Sequence, residues 1–340
     1  MTATTLREHQ LSLHGLHVRY VTSSPSLLSS AAPWFQRFPQ AGPAGDAALT
    51  IRFEEVSGRE AVPLSLSSSV RRLFSGTRPF MGSSMRALWQ CEILQDGGRH
   101  VVDVQGQGVL VIEGDGGRAD GYFFRPDTVH ADRLESFFHY ALAELLKRRN
   151  LFTLHAAALE RRGRGLLIAG GTGCGKTTAS LSLLRSGYRL LSDDHPVLRD
   201  DGAWPELLAS PAHIEVTDRT VELFPELRDA PSGLLRQGAR KKSFHAEDLY
   251  PGSTGRPCEP VMILFPQIGK LPHSCLEPLA KSRALQGLLP PPSLVPDDEL
   301  SRREVRALSN LVQRASCYRL HFGQDVPDLP KLITPLLDEA

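Results

Sequence analysis

The stretch "GLLIAGGTGCGKTTASLSLLRSG", from Gly165 to Gly187, constrains the fold of this 340-residue chain more than any other. A short apolar run leads into a glycine-rich turn, and an amphipathic segment follows it. Inside it, "GGTGCGKT" fills the pattern G-x-x-x-x-G-K-T with Gly170, Gly175, Lys176 and Thr177. Such a loop turns its backbone amides inward around phosphate oxygens, and the following helix adds its positive N-terminal end. The lysine supplies a point charge and the threonine hydroxyl a ligand for Mg²⁺. Gly171, Thr172, Gly173, Cys174 and Thr178 belong to the same candidate nucleotide-binding stretch. A chance glycine-rich turn would need neither the strand before it nor the helix after it; both are present.

The next strand-like run, "YRLLSDD", ends in Asp193 and Asp194, and Asp193 lies 17 residues after Lys176. Neighbours on a strand point to opposite faces, so the two carboxylates are expected to divide their labour. One would face a metal and the other an acceptor hydroxyl, the two needs of phosphoryl transfer. "RDDG" at residues 199–202 is an ordinary acidic turn and is assigned no role.

Around this centre the second half alternates. "FTLHAAALER", "GLLIAGG", "PVLRDDG", "PVMILFPQI" and "CYRLHFG" read as strands. Helical spacing appears near 278–289 and 298–315, with a short C-terminal helix beyond, giving an α/β core. The first 130 residues read as β-rich. In "ALTIRFEEV", Leu49, Ile51 and Phe53 alternate with Thr50, Arg52 and Glu54, and glycines punctuate the run from His100 to Asp127 into three strands. The serine-rich stretch over 64–77 reads as a surface loop. From Asp132 to Asn150, Leu134, Phe137, Phe138, Ala141, Leu142, Leu145 and Leu146 recur at helical spacing, closed by "KRRN", whose charge suits a helix C-terminus. Residues 1–130, a linking helix over 131–150 and a catalytic domain over 151–340 are the expected divisions.

The totals exclude little. A 41% hydrophobic and 23% charged composition suits a globular chain, and a net charge of +1 gives no reason to expect nucleic acid or an anionic membrane as partner. Five scattered cysteines without zinc-like spacing fit reduced thiols in a cytoplasm. The N-terminus shows no signal-peptide pattern, and no apolar run approaches membrane-spanning length.

The stretch from His155 to Leu198 resembles the catalytic domain of bacterial HPr kinase/phosphorylase. That family carries a histidine on the strand before the loop, one short helix after it, and a strand ending in Asp-Asp. Here His155 stands 21 residues before Lys176. The resemblance implies a P-loop kinase core of the HPr kinase / phosphoenolpyruvate carboxykinase type, preceded by a smaller β-rich N-terminal domain. It implies ATP, or another nucleoside triphosphate, and Mg²⁺ as cofactors, with Lys176 and Thr177 on the phosphates and metal. Asp193 is then the metal-side carboxylate and Asp194 the base for the substrate hydroxyl, though the two could be exchanged. His155 is placed near the phosphates or carboxylates by this spacing; taken by itself it reads rather as a satisfied core histidine. His195 reads as a turn residue.

Downstream, the basic stretch with Arg236, Arg240, Lys241 and Lys242 is a plausible counterpart of the family's mobile phosphate-holding segment, and equally a solvated loop; Lys242 is its chosen member. "SPAHIEVTDRTVELFPEL" does not reproduce the family's glycine-rich acidic signature, leaving Glu215 and Arg219 as loose candidates. The layout is similar to HPr-kinase-related proteins that modify peptides. The implied function is an ATP-dependent kinase acting on a hydroxyl, chiefly serine, of a peptide or protein, and the family's habit implies a homo-oligomer. A small-molecule kinase acting on free serine and a non-catalytic nucleotide-binding regulator remain open alternatives.

Overall fold

A computed structural model describes residues 6–35, 48–79, 88–124, 131–202, 204–209, 213–229, 241–289 and 296–339. The protein is mixed α/β with several sheets, and it divides into two compact units, Met1–Arg149 with Pro292–Leu300, and Asn150–Pro291 with Ser301–Ala340.

The first unit carries β1 (Arg7–Leu13), β2 (Leu16–Thr22), α1 (Pro25–Phe35), β3 (Leu49–Val56), β4 (Arg71–Pro79), β5 (Leu88–Asp96), β6 (Arg99–Val104), β7 (Gly108–Ile112), β8 (Arg118–Phe124) and α2 (Ala131–Lys147). The strands form one eight-stranded sheet in the order β1-β2-β3-β8-β7-β6-β5-β4, antiparallel except where β3 meets β2 and β8. Alternation along β3 holds as read: Leu49, Ile51 and Phe53 are fully buried while Thr50 and Arg52 are half-buried. Glu54 breaks the pattern. It is buried and takes the Ser23 hydroxyl as its partner. The apolar stripe of α2 is buried along its whole described length, Phe137 against Phe123 at 4.8 Å between ring centres. The Arg148 guanidinium donates to the Glu144 carbonyl at 2.7 Å, capping the helix as the basic run predicts.

The serine-rich stretch read as a loop is a loop only in its first part; Arg71 onward is strand β4. It is an edge strand paired to β5 alone, so neither face is required to be apolar and the sequence carries no alternation to read.

The second unit carries β9 (Leu151–Thr153), β10 (Ala156–Arg161), β11 (Arg164–Ala169), α3 (Lys176–Leu184), β12 (Arg189–Ser192), β13 (Val197–Arg199), β14 (Glu206–Leu208), β15 (His213–Thr217), α4 (Asp218–Leu223), β16 (Lys241–His245), α5 (Ala246–Leu249), β17 (Glu259–Leu271), β18 (Cys275–Pro278), α6 (Lys281–Leu288), α7 (Asp298–Arg314), β19 (Ser316–Gly323) and α8 (Leu329–Glu339). Three residues at the start of α7 are grouped with the first unit. The main sheet runs β12-β10-β11-β17-β19-β18. Its centre, β11-β17-β19, is parallel, which suits the nearly continuous apolar sequence of β11 and of the first half of β17. One face packs Leu166, Ile168, Met262 and Leu264 against Leu181, Leu184 and Leu337. The other packs Leu167 and Ile263 against Leu308 and Leu311. Separate small sheets are formed by β14-β13-β9 and by β15-β16.

Among the described residues no helix is long and apolar enough to cross a membrane.

Candidate active site

The glycine-rich loop joins β11 to α3. Gly175, the residue before the helix, has φ +105°, and a Cβ there would stand 2.6 Å from the Phe322 ring on β19. Both the backbone angle and the close approach of Phe322 therefore require glycine. Gly170 has φ +153°, with the Cys174 thiol 2.8 Å from where its Cβ would be. Gly171, Thr172 and Gly173 form the exposed tip, Cys174 and Thr178 are half-buried, and Lys176 is buried. The Lys176 ammonium folds back over the loop, donating to the Gly170 carbonyl at 2.8 Å and the Gly171 carbonyl at 3.4 Å.

His155 owes its position to a break that the sequence conceals. "FTLHAAALER" reads as one strand but is two, β9 in the three-stranded sheet and β10 in the main sheet. The Leu154 amide bonds the Pro196 carbonyl at 2.9 Å and the Ala156 amide bonds the Asp194 carbonyl at 3.2 Å. The chain changes sheets at His155 and turns that side chain out of the core. Its Nε2 lies 3.4 Å from Lys176 Nζ and its Nδ1 3.0 Å from Asp194 Oδ1.

The aspartate pair sits just beyond β12 rather than on it. The His195 amide donates to the Ser192 hydroxyl at 3.0 Å, fixing a bend in which the two carboxylates part. Asp193 is buried, and its Oδ2 accepts the Thr177 hydroxyl at 3.2 Å. Among the described residues its Oδ1 is buried with no hydrogen-bond partner meeting ordinary geometry. Burial pushes this carboxyl up to about 7, with the Asp194 charge adding to the rise and Thr177, the Glu215 backbone and Lys176 pulling the other way. The Asp194 side chain is 52% exposed. Desolvation raises its carboxyl, but His195, His155 and Lys176 outweigh it and hold the group well below the ordinary carboxylate range. The two carboxylates stand in unlike environments, one inward and costly to ionise, the other outward and firmly ionised.

The structure brings together the loop, Lys176, Thr177, His155, Asp193 and Asp194. It does not bring Lys242 to them. Lys242 stands on β16 opposite Val216, and its ammonium is taken up by the Arg228 carbonyl. Facing a buried apolar partner on the same side of the hairpin, its stem packs instead of projecting toward the loop. Arg236 and Arg240 lie outside the described residues, as does the Lys241 side chain. His195, read as a turn residue, reaches Asp194 Oδ2 at 3.3 Å. The signal that could have found it was its place directly after the pair.

Asp193 and Thr177 offer only oxygen donors, one of them a buried oxygen lacking a partner, and this suits a hard cation such as Mg²⁺. A glycine-rich loop at the start of a helix, a buried ammonium and two carboxylates in unlike environments can hold a polyphosphate and orient a hydroxyl toward it.

No family model matches the chain. It is similar to HPr kinase/phosphorylases over a limited segment. The protein of that name from Listeria monocytogenes serotype 4a is 34% identical over 65 residues, 19% of this chain and 21% of that one. The one from Xanthomonas campestris pv. campestris is 41% identical over 75 residues, 20% of this chain and 23% of that one. The match spans about a fifth of the length of these curated relatives. The solved Hpr(Ser) kinase/phosphatase from Coxiella burnetii aligns over 55% of this chain and 94% of its own, at 15% identity and a TM-score of 0.27. The similarity to these curated relatives is thus confined to that segment.

Proposed function

We propose that this protein is an ATP-dependent phosphotransferase with a P-loop core of the HPr kinase type, transferring the γ-phosphate to a serine hydroxyl of a peptide or protein. The observation that carries the reading is the row Lys176–His155–Asp194 standing beside the glycine-rich loop, with Asp193 turned inward to Thr177.

In this reading the loop amides and the N-terminal end of α3 hold the polyphosphate. Lys176 exchanges the Gly170 and Gly171 carbonyls for phosphate oxygens and follows the charge that builds on the phosphoryl group. Thr177 and Asp193 would hold Mg²⁺, which screens the phosphates when bound. Asp194 accepts the hydrogen bond of the incoming hydroxyl and aims its oxygen at phosphorus. As that O–P bond forms, the bond to the bridging oxygen breaks, the nucleoside diphosphate leaves, and the hydroxyl proton passes to Asp194. So acidic a carboxyl takes the proton late, which fits a transition state with little bond formation to the nucleophile. His155, donating from Nδ1 and accepting from Lys176 at Nε2, keeps the Asp194 carboxylate in line.

The first unit is assigned recognition of part of the acceptor, residues 151–340 the catalysis, and the protein a homo-oligomeric state in the cytoplasm, where its five free thiols stay reduced. Labelled ATP with Mg²⁺ and candidate serine peptides, with Asp194→Asn alongside, tests the proposal. Acid-stable label on one acceptor, lost in the variant, is expected. ATP binding with no transfer to any acceptor would sink it in favour of a nucleotide-binding regulator.

A further inference from the structure

Two imidazoles face one carboxylate beside the loop. His155 Nδ1 lies 3.0 Å from Asp194 Oδ1, and His195 Nε2 lies 3.3 Å from Asp194 Oδ2. One donor atom from each of the three residues falls within 4.8 Å of the other two. The histidine ring centres are 6.0 Å apart. Solvent reaches all three side chains, which are 40%, 52% and 28% exposed in chain order. An ion with bonds of about 2.0–2.1 Å needs its ligand atoms about 3.3 Å apart. Each imidazole meets a different oxygen of the carboxylate at close to that spacing, which suits a carboxylate that chelates with both, and the three donor atoms lie within 4.8 Å of one another.

The donor set is unlike that of Thr177 and Asp193. Two ring nitrogens and a carboxylate suit zinc and its late first-row neighbours, whereas Mg²⁺ prefers oxygen and sheds water reluctantly. Three protein ligands leave room for water, as in an exchangeable site. The His195–Ser192 hydrogen bond holds the bend that aims the second imidazole at the carboxylate.

We propose that His155, Asp194 and His195 form a second cation site, taking a borderline divalent ion such as Zn²⁺ in preference to Mg²⁺, and that its occupation shuts off phosphoryl transfer. The inhibitory half rests on the kinase reading above; the metal site does not. An ion there engages the Asp194 lone pairs that the acceptor hydroxyl must meet. It also displaces the proton that His155 Nδ1 shares with Asp194. The neutral ring must then switch tautomer and carry its single proton on Nε2, 3.4 Å from the Lys176 ammonium, donor against donor. Base and lysine are disturbed together.

The test titrates metal-free full-length protein with Co²⁺ under excess Mg²⁺ and follows the visible absorption bands. One equivalent should bind, with the intensity of a four- or five-coordinate ion, and Zn²⁺ should displace it while further Mg²⁺ does not. His195→Gln and Asp194→Asn should each weaken binding about tenfold or more, and Thr177→Val should leave it unchanged. Absence of the bands, or equal affinity in the wild type and in His195→Gln, overturns the site. In the transfer assay, stoichiometric Zn²⁺ should abolish labelling, a chelator should restore it, and His195→Gln should raise the Zn²⁺ required by a similar factor. Zn²⁺ that leaves transfer unchanged, or accelerates it, overturns the inhibitory half. If protein supplied with Mg²⁺ and free of Zn²⁺ labels no acceptor, the kinase reading falls while the Co²⁺ titration still decides the site.

Discussion

His155 Nδ1 lies 3.0 Å from Asp194 Oδ1, although the two residues come from opposite sides of the loop in sequence. The contact exists because the Ala156 amide is bonded to the Asp194 carbonyl, so backbone pairing sets the side-chain distance. Two side chains held this way should act as a unit. Asp194→Asn should lower kcat by about 10²–10⁴ with nucleotide affinity little changed, and His155→Ala should cost less. The double variant should fall well short of the product of the two effects. Multiplicative losses in a kcat cycle would show that the contact is incidental.

Nucleotide binding should depend on the other side of the site. Lys176→Ala should weaken binding of ATP and ADP, both of which carry a β-phosphate, whereas Thr177→Ala should weaken binding chiefly when Mg²⁺ is present. Calorimetric titrations with and without the metal separate the two; a Thr177→Ala defect equally large without Mg²⁺ would contradict the assignment.

Gly175 offers a stability test independent of chemistry. Its φ of +105° and the Phe322 ring 2.6 Å from a would-be Cβ make Gly175→Ala strained in two ways. A loss of about 1–3 kcal/mol is expected from denaturant unfolding. Adding Phe322→Ala should relieve the steric part only, so the glycine substitution should remain destabilising in that background.

The inward aspartate sets a pH dependence. Asp193 keeps its proton up to about 7 when folded, against an ordinary value of 3.8. Between those values the folded state holds a proton that the unfolded chain has lost. Its contribution to the stability of metal-free protein therefore declines as pH rises through that window. In a chelator, thermal unfolding of wild type and Asp193→Asn should diverge as pH rises from about 4 to about 7, the wild type losing more, and run parallel above that. Parallel shifts in the two proteins would remove the basis for an inward, hard-to-ionise carboxylate.

In the first unit, Phe137 on α2 is fully buried against Phe123. Phe137→Ala should cost about 3–5 kcal/mol, as deletion of a ring from a packed core does, read as a lower unfolding midpoint.

Much of this architecture was legible in the sequence. The loop and α3 were readable because their motif is local, and α2 and β3 because one buried face imposes a period. What escaped reading was set by distant partners. The split between Leu154 and Ala156 depends on carbonyls of Pro196 and Asp194, and no pattern within "FTLHAAALER" announces it. The bend at Ser192 turns a presumed strand end into two separate environments for adjacent aspartates. Edge strand β4 carries no alternation because neither face must be apolar. Lys242 looked available for the same reason that any lysine does; opposite buried Val216, its stem is packing material.

The Lys176 ammonium rests on the carbonyls of Gly170 and Gly171, so the glycine-rich loop supplies its own counter-ligand. On the proposed reading, an arriving nucleotide would displace an internal guest instead of filling a bare positive socket. The same exchange would run backward on departure, the lysine re-bonding to the loop as the phosphate withdraws. Such competition would trade grip for turnover, since the two carbonyls stand ready to replace a spent diphosphate.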